Sequence, residues 1–169
     1  MRKANMLLSS IVLMFLFIGC SEAQQQLNKN NPYYSHTATG KLNVPNTEWK
    51  KYLSPKSYNI LREKGTEYAN SGPYVHNPKT GIYYCAACGN PLFKSDSKFD
   101  SGTGWPSFFR PITKTSVTED RDESLGSVRT EVLCSRCGGH LGHVFDDGPA
   151  PTGLRYCMNG FALAFEETK

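Results

Sequence analysis

At 169 residues, with 38% hydrophobic and 20% charged residues, the chain is long enough for one globular domain and too short for two substantial cores. The formal charge is +4, and Arg2 and Lys3 account for two of those units; the remaining acidic and basic residues are intermixed. The absence of a basic run argues against a nucleic-acid partner.

Arg2 and Lys3 precede an almost unbroken apolar run over 6–18, the pattern of an export signal, which is set apart from the folded domain. The run is shorter than the roughly 20 residues of a transmembrane span, the rival reading. Its end, Phe17-Ile18-Gly19-Cys20, is similar to a bacterial lipoprotein signal, with Phe17 where leucine is commoner. That similarity implies a signal over 1–19 and lipid attachment at Cys20. The domain would then be anchored to a membrane of the bacterial cell envelope, outside the cytoplasm; an ordinary cleaved signal peptide is the alternative. Residues 20–46, rich in Gln, Asn, Ser and Thr and without apolar periodicity, read as a flexible tether.

The folded domain is expected over 47–166, with two short helices first. One begins at Thr47-Glu48-Trp49 and ends before Pro55. The second takes Ser54 as N-cap, Pro55 as its first residue and Gly65 as its stop, with Tyr58 and Leu61 on one face. Turns at 65–67 and 70–73 lead to a strand ending near Val75. Short strands follow at 81–84, 91–94, 128–133, 141–145, 154–158 and 161–165, so the fold class is mainly β.

Cys85-Ala86-Ala87-Cys88-Gly89 and Cys134-Ser135-Arg136-Cys137-Gly138 are paired CxxCG turns between strand-like segments. This is the ligand spacing of a tetrathiolate zinc site, in which one Zn2+ staples strands distant in sequence. A disulfide framework, the alternative in an exported chain, usually closes longer loops. Four thiolates leave no coordination position for substrate or water, so chemistry is expected elsewhere.

Cys157 is the thiol left over. Alternation along 154–158 places Arg155, Cys157 and Asn159 on one face. An inert buried cysteine and a disulfide former are two readings of Cys157. A nucleophile, the third, needs a lowered pKa and a polar, partly exposed site. Arg155 and His143 could favour a thiolate there, and Asn159 could hold water. His140 and His143 stand three apart, and with four thiolates on the metal they are read as catalytic or structural. Asp146 and Asp147 either orient a histidine or form a solvated turn. In DSGTGWPSFF, over 100–109, glycines on both sides of Thr103 allow close approach to a ligand. Trp105, Phe108 and Phe109 there build either an apolar wall suited to a methyl thioether or part of the core.

The segments REKGTE (62–67), YYCAACGNPLF, FDSGTGWPSFF, RTEVLCSRCGGHLGHVFDDGP and PTGLRYCMN resemble, in order, the B-class methionine-R-sulfoxide reductases, from Thr47 to Phe165. The resemblance implies a compact antiparallel β domain with small N-terminal helices and zinc remote from the reaction centre. It implies that Cys157 attacks sulfur, that Trp105 lines the methyl pocket beside Phe108, and that His143 with Asp147, and Asn159, organise water and proton transfer. His140 would assist, and Arg155 would stabilise charge at the thiol. The substrates implied are oxidised proteins or peptides carrying methionine R-sulfoxide. The product is methionine plus a Cys157 sulfenic acid, recycled by an external thioredoxin-like dithiol. A non-catalytic, zinc-binding interaction module of the envelope is the competing class. Two departures stand out: Thr103 occupies the place of the usual local resolving cysteine, and Gly160 that of a common serine.

Overall fold

The computed structural model describes residues 30–124 and 126–168. The expected signal and the expected lipidation site, Cys20, lie outside them. Helix α1 is Asn46–Trp49 and α2 is Pro55–Glu63. The expected cap is present: the Ser54 side chain accepts the Ser57 N–H, and Pro55 needs no N–H at the first position. The stop differs by one residue. Lys64, at φ 57°, takes the left-handed conformation, and Gly65 follows it. Gly65 serves close approach instead, since a Cβ there would lie 2.0 Å from the Asn59 side-chain oxygen.

Among the described residues, nine strands make two antiparallel sheets. The three-stranded sheet has the order β2-β1-β9, with β1 Gly81–Cys85, β2 Pro91–Lys94 and β9 Leu163–Glu167. The six-stranded sheet has the order β3-β4-β8-β7-β6-β5. Its members are β3 Lys98–Phe99, β4 Ser107–Phe108, β5 Val117–Asp122, β6 Arg129–Cys134, β7 His140–Phe145 and β8 Arg155–Met158. Tyr83, Leu92, Phe93, Phe108, Val132, Leu141 and Met158 are fully buried, and α2 covers β7 with Tyr58, Ile60 and Leu61. This is the mainly β, antiparallel architecture with small N-terminal helices that the resemblance implied.

Three local expectations are corrected. No strand ends near Val75; residues 69–76 form turns, with Asn70 and Tyr74 at φ 61° and 74°, outside the extended region. Strand β5 was not foreseen, because of VTEDRD only Val117 is buried and no apolar alternation exists to read. The segment expected as a tether up to residue 46 is docked from Asn31 onward. Asn31 Nδ2 donates to Ala87 O (2.8 Å), Ser35 N to Cys88 O (2.9 Å) and Leu42 N to Arg136 O (2.7 Å). The tight CxxCG turns leave carbonyls facing outward, and this segment supplies donors for them. Among the described residues, no helix is long and apolar enough to cross a membrane.

Candidate active site

Strand register sets the site. Ser107 on β4 and His143 on β7 both pair with Cys157 on β8, and His143 pairs in turn with Glu131 on β6. Directly opposed residues project from the same face, so one row crosses four strands with the thiol in its interior. Cys157 is half-buried, while Tyr156 and Met158 on either side of it are buried on the opposite face. Thr103 Oγ1 lies 3.9 Å from its sulfur, and Ser101 Oγ links Thr103 Oγ1 (2.8 Å) to Ser107 Oγ (2.7 Å). Arg155 donates twice to Asp147, at 2.8 and 2.9 Å, with its guanidinium 4.4 Å from the Phe145 ring centroid.

Burial pushes the Cys157 thiol up, against the opposing pull of Thr103, Arg155 and Ser107. The expectation of a depressed thiol is therefore reversed in the free site, because desolvation outweighs one cation and two hydroxyls.

His140 and His143 are each held by a carboxylate from another strand, His140 from the adjacent β6 and His143 from β5, one strand further on. His140 Nδ1 lies 2.7 Å from Glu131, and Lys64 Nζ donates to the same carboxylate at 2.7 Å. His143 Nε2 lies 2.7 Å from Asp122 Oδ2, which also accepts from Arg129 (2.6 Å). The two rings stand 5.4 Å apart, centroid to centroid. Burial lowers the His140 pKa, with Glu131 acting in the opposite direction. Neutral His140 donates through Nδ1, and its buried Nε2 has no hydrogen-bond partner among the described residues. Hydrogen bonds from Ser124 and then His143 hold Asp122 well below the usual carboxylate range.

The expected partnership of His143 with Asp147 is replaced by His143 with Asp122. Asp147 lies just past the end of β7, where Phe145 pairs with Arg155, so the guanidinium is its nearest cation. Phe108 is also relocated. It is fully buried, stacked on Phe93 at 4.4 Å and edge-on to Tyr83, because its place in β4 opposite Tyr156 turns it into the core.

Trp105, Asn159 and the turn that follows β8 meet on a residue whose role the sequence did not reveal, Glu67. Its carbonyl accepts from Trp105 Nε1 (3.2 Å), its N–H donates to Asn159 Oδ1 (3.1 Å), and its carboxylate accepts the amides of Gly160 (2.7 Å) and Phe161 (3.0 Å). Asn159 Nδ2 donates to Leu141 O at 3.1 Å, so both ends of that side chain are spent on backbone. A Cβ on Gly160 would lie 2.2 Å from the Pro73 carbonyl, which accounts for glycine at that position. Asp122 and Glu131 were missed for a related reason. They reach the histidines only through strand pairing, and linear spacing does not show pairing.

The four other thiols of the described residues lie away from this row, at the ends of the β1–β2 and β6–β7 hairpins. Cys85, Cys88, Cys134 and Cys137 are buried, with their sulfurs all within 4.8 Å of one another. Cys85 Sγ is 3.7 Å from Cys137 Sγ, and Cys88 Sγ is 3.6 Å from Cys134 Sγ. A tetrahedron with ~2.3 Å metal–sulfur bonds has edges of about 3.8 Å, so the donor set fits one ion. Gly89 and Gly138, at φ 75° and 67°, turn each chain back, and their amides donate to Cys85 O and Cys134 O at 2.8 Å. The cluster links one hairpin from each sheet.

A half-buried thiol between hydroxyls and carboxylate-held imidazoles, on a sheet stapled by a separate four-thiol cluster, defines a thiol-dependent oxidoreductase domain. The SelR domain matches residues 53–167. The peptide methionine sulfoxide reductase MsrB of Agrobacterium fabrum (strain C58 / ATCC 33970) is 54% identical over 132 residues, covering 78% of this chain and 98% of that protein. MsrB of Thiobacillus denitrificans (strain ATCC 25259 / T1) is 58% identical over 118 residues, covering 70% and 89%. That of Methanosarcina barkeri (strain Fusaro / DSM 804) is 57% identical over 119 residues, covering 70% and 84%. The chain belongs to the SelR family of MsrB peptide methionine sulfoxide reductases.

Proposed function

We propose that the protein reduces the R diastereomer of methionine sulfoxide in oxidised proteins and peptides, with Cys157 as the nucleophile. The supporting observation is the placement of Cys157: among the described residues it is the one cysteine outside the four-thiol cluster, and it sits in register between Ser107 and His143. The Cys157 thiolate attacks the sulfoxide sulfur while the oxygen gains a proton, so that thiol plus sulfoxide become sulfenic acid plus thioether. His143, oriented by Asp122, is the proton source; Arg155 favours the thiolate; Trp105 forms the wall for the methyl group. Asn159 fixes the Glu67 loop and β7 against the end of β8. An external thioredoxin-like dithiol then attacks the sulfenic acid, water leaves, and the second thiol of the reductant releases Cys157. A diastereomer-resolved assay with a dithiol tests this reading. Methionine from the R form alone, lost in Cys157→Ser, is expected; full activity in that variant would remove Cys157 from the mechanism.

The ion of the four-thiol cluster in this reading is one Zn2+, which supplies no reaction chemistry and ties the two sheets together. The reading also keeps the domain in the cell envelope, anchored through a lipid on Cys20. Mass analysis of the processed N-terminus tests that, and an unmodified start elsewhere than Cys20 would refute it.

A further inference from the structure

The sulfur of Cys157 is faced by more polar chemistry than nucleophilic attack alone requires. Thr103 Oγ1 lies 3.9 Å from it, Ser101 Oγ lies 2.8 Å from Thr103 Oγ1 and 2.7 Å from Ser107 Oγ, and Ser107 Oγ lies 3.2 Å from the Trp105 carbonyl oxygen. These four contacts run in series from the thiol to a carbonyl. Each hydroxyl carries one hydrogen, so ionising the thiol removes one of the four hydrogens of the series and makes the hydroxyls rearrange. With Cys157 protonated, the thiol donates to Thr103, Thr103 to Ser101, Ser101 to Ser107, and Ser107 to the carbonyl. With Cys157 ionised, the three hydroxyls can turn the other way: Ser107 donates to Ser101, Ser101 to Thr103, and Thr103 to the thiolate, and the Trp105 carbonyl gives up its donor.

We propose that Ser101, Thr103 and Ser107 form a switchable donor chain, which inverts by rotation of its hydroxyls and stabilises the Cys157 thiolate. Thr103 touches the reacting sulfur; Ser101 acts through Thr103 and is a positioning residue. The inference rests on the reading of Cys157 as nucleophile and adds to it the device that ionises a buried thiol.

Two further observations support the chain. Ser107 is fully buried and Ser101 and Thr103 are half-buried, so water competes weakly for their hydrogens. Ser107 is also the register partner of Cys157, which places both ends of the chain on the sulfur's face of the sheet. The direction of the Thr103 effect agrees, since its hydrogen bond to the sulfur favours the thiolate against the burial that disfavours it. The other ionisable groups facing the sulfur are Arg155 on its own strand, neutralised in part by Asp147, and His143 on β7, held by Asp122. The proton leaves toward His143 or solvent, because the carbonyl that ends the chain cannot take it.

The test is the pH dependence of Cys157 alkylation by iodoacetamide in the metal-loaded protein, which needs no sulfoxide. Thr103→Val keeps the shape and removes the hydroxyl; its alkylation midpoint should rise by about one pH unit, with alkylation roughly tenfold slower at neutral pH. Ser101→Ala should move the midpoint in the same direction by less, and Thr103→Ser should restore the wild-type profile. Midpoints unchanged in both Thr103→Val and Ser101→Ala would overturn the proposal, as would a Thr103→Ser profile matching that of Thr103→Val. Failure here leaves the nucleophile assignment to the separate reductase assay of Cys157→Ser.

Discussion

Glu131 is the residue through which packing and site chemistry are most tightly joined. Its side chain is 3% exposed, and its carboxylate is shared by His140 Nδ1, on a side chain 4% exposed, and by Lys64 Nζ, on one 65% exposed. These exposures rank the two contacts. Deleting the carboxylate leaves the buried, neutral His140 Nδ1–H without its acceptor, at a cost of about 1–3 kcal/mol. An ion pair open to solvent contributes at most about 1 kcal/mol. Glu131→Ala should therefore destabilise by about 1–3 kcal/mol. Glu131→Gln, which still offers an oxygen to the Nδ1–H, should cost less than Glu131→Ala. Lys64→Met should cost less than about 1 kcal/mol. Urea unfolding of the metal-loaded protein at pH 7.5 measures all three. A Lys64→Met loss equal to that of Glu131→Ala would refute the reasoning, since the exposed ion pair would then carry the stability assigned to the buried imidazole.

Phe108→Ala should cost about 3–5 kcal/mol in the same unfolding experiment, as expected for a fully buried ring stacked on Phe93; a stable variant with only a raised KM would return Phe108 to the pocket. Asp122→Asn should lower kcat through the loss of His143 orientation, whereas Asp147→Asn should act through Arg155 on thiol alkylation; a reversed pattern would restore the pairing of His143 with Asp147. Stability should fall as the pH drops below about 6.5, because the unfolded chain then binds a proton at His140 that the folded state, with its lowered pKa, refuses. In Glu131→Gln that loss should extend to lower pH, since the group favouring the proton is gone; urea midpoints between pH 5 and 8 check both.

The sequence made the chemistry of single residues legible and left their partnerships hidden. Paired CxxCG turns announce four ligands because a metal needs specific donors at specific spacing, and those sulfurs do converge. Alternation along β8 put Arg155 and Cys157 on one face, as found. Asp122 escaped notice because β5 is a polar edge strand with a single buried residue. Glu131 and Glu67 escaped for another reason: Glu131 reaches His140, nine positions on, only through strand register, and Glu67 acts through backbone hydrogen bonds on residues more than ninety positions away. Phe108 was ambiguous for the same reason, since a strand of two residues decides which way its ring points. The docking of Asn31 to Leu42 depends on carbonyls that only the folded turns expose.

The central claim is that Cys157 takes the sulfoxide oxygen and that no thiol of the domain resolves it, since Thr103 faces its sulfur and Cys85, Cys88, Cys134 and Cys137 are gathered in their own cluster. The direct measurement is a single turnover: the zinc-loaded protein is mixed with one equivalent of methionine R-sulfoxide without reductant, and its cysteines are mapped by mass spectrometry. A sulfenic acid trapped on Cys157, with the metal retained, is the predicted result. Rapid formation of a disulfide between Cys157 and another cysteine of the chain, or metal release with oxidation of its ligands, would contradict it.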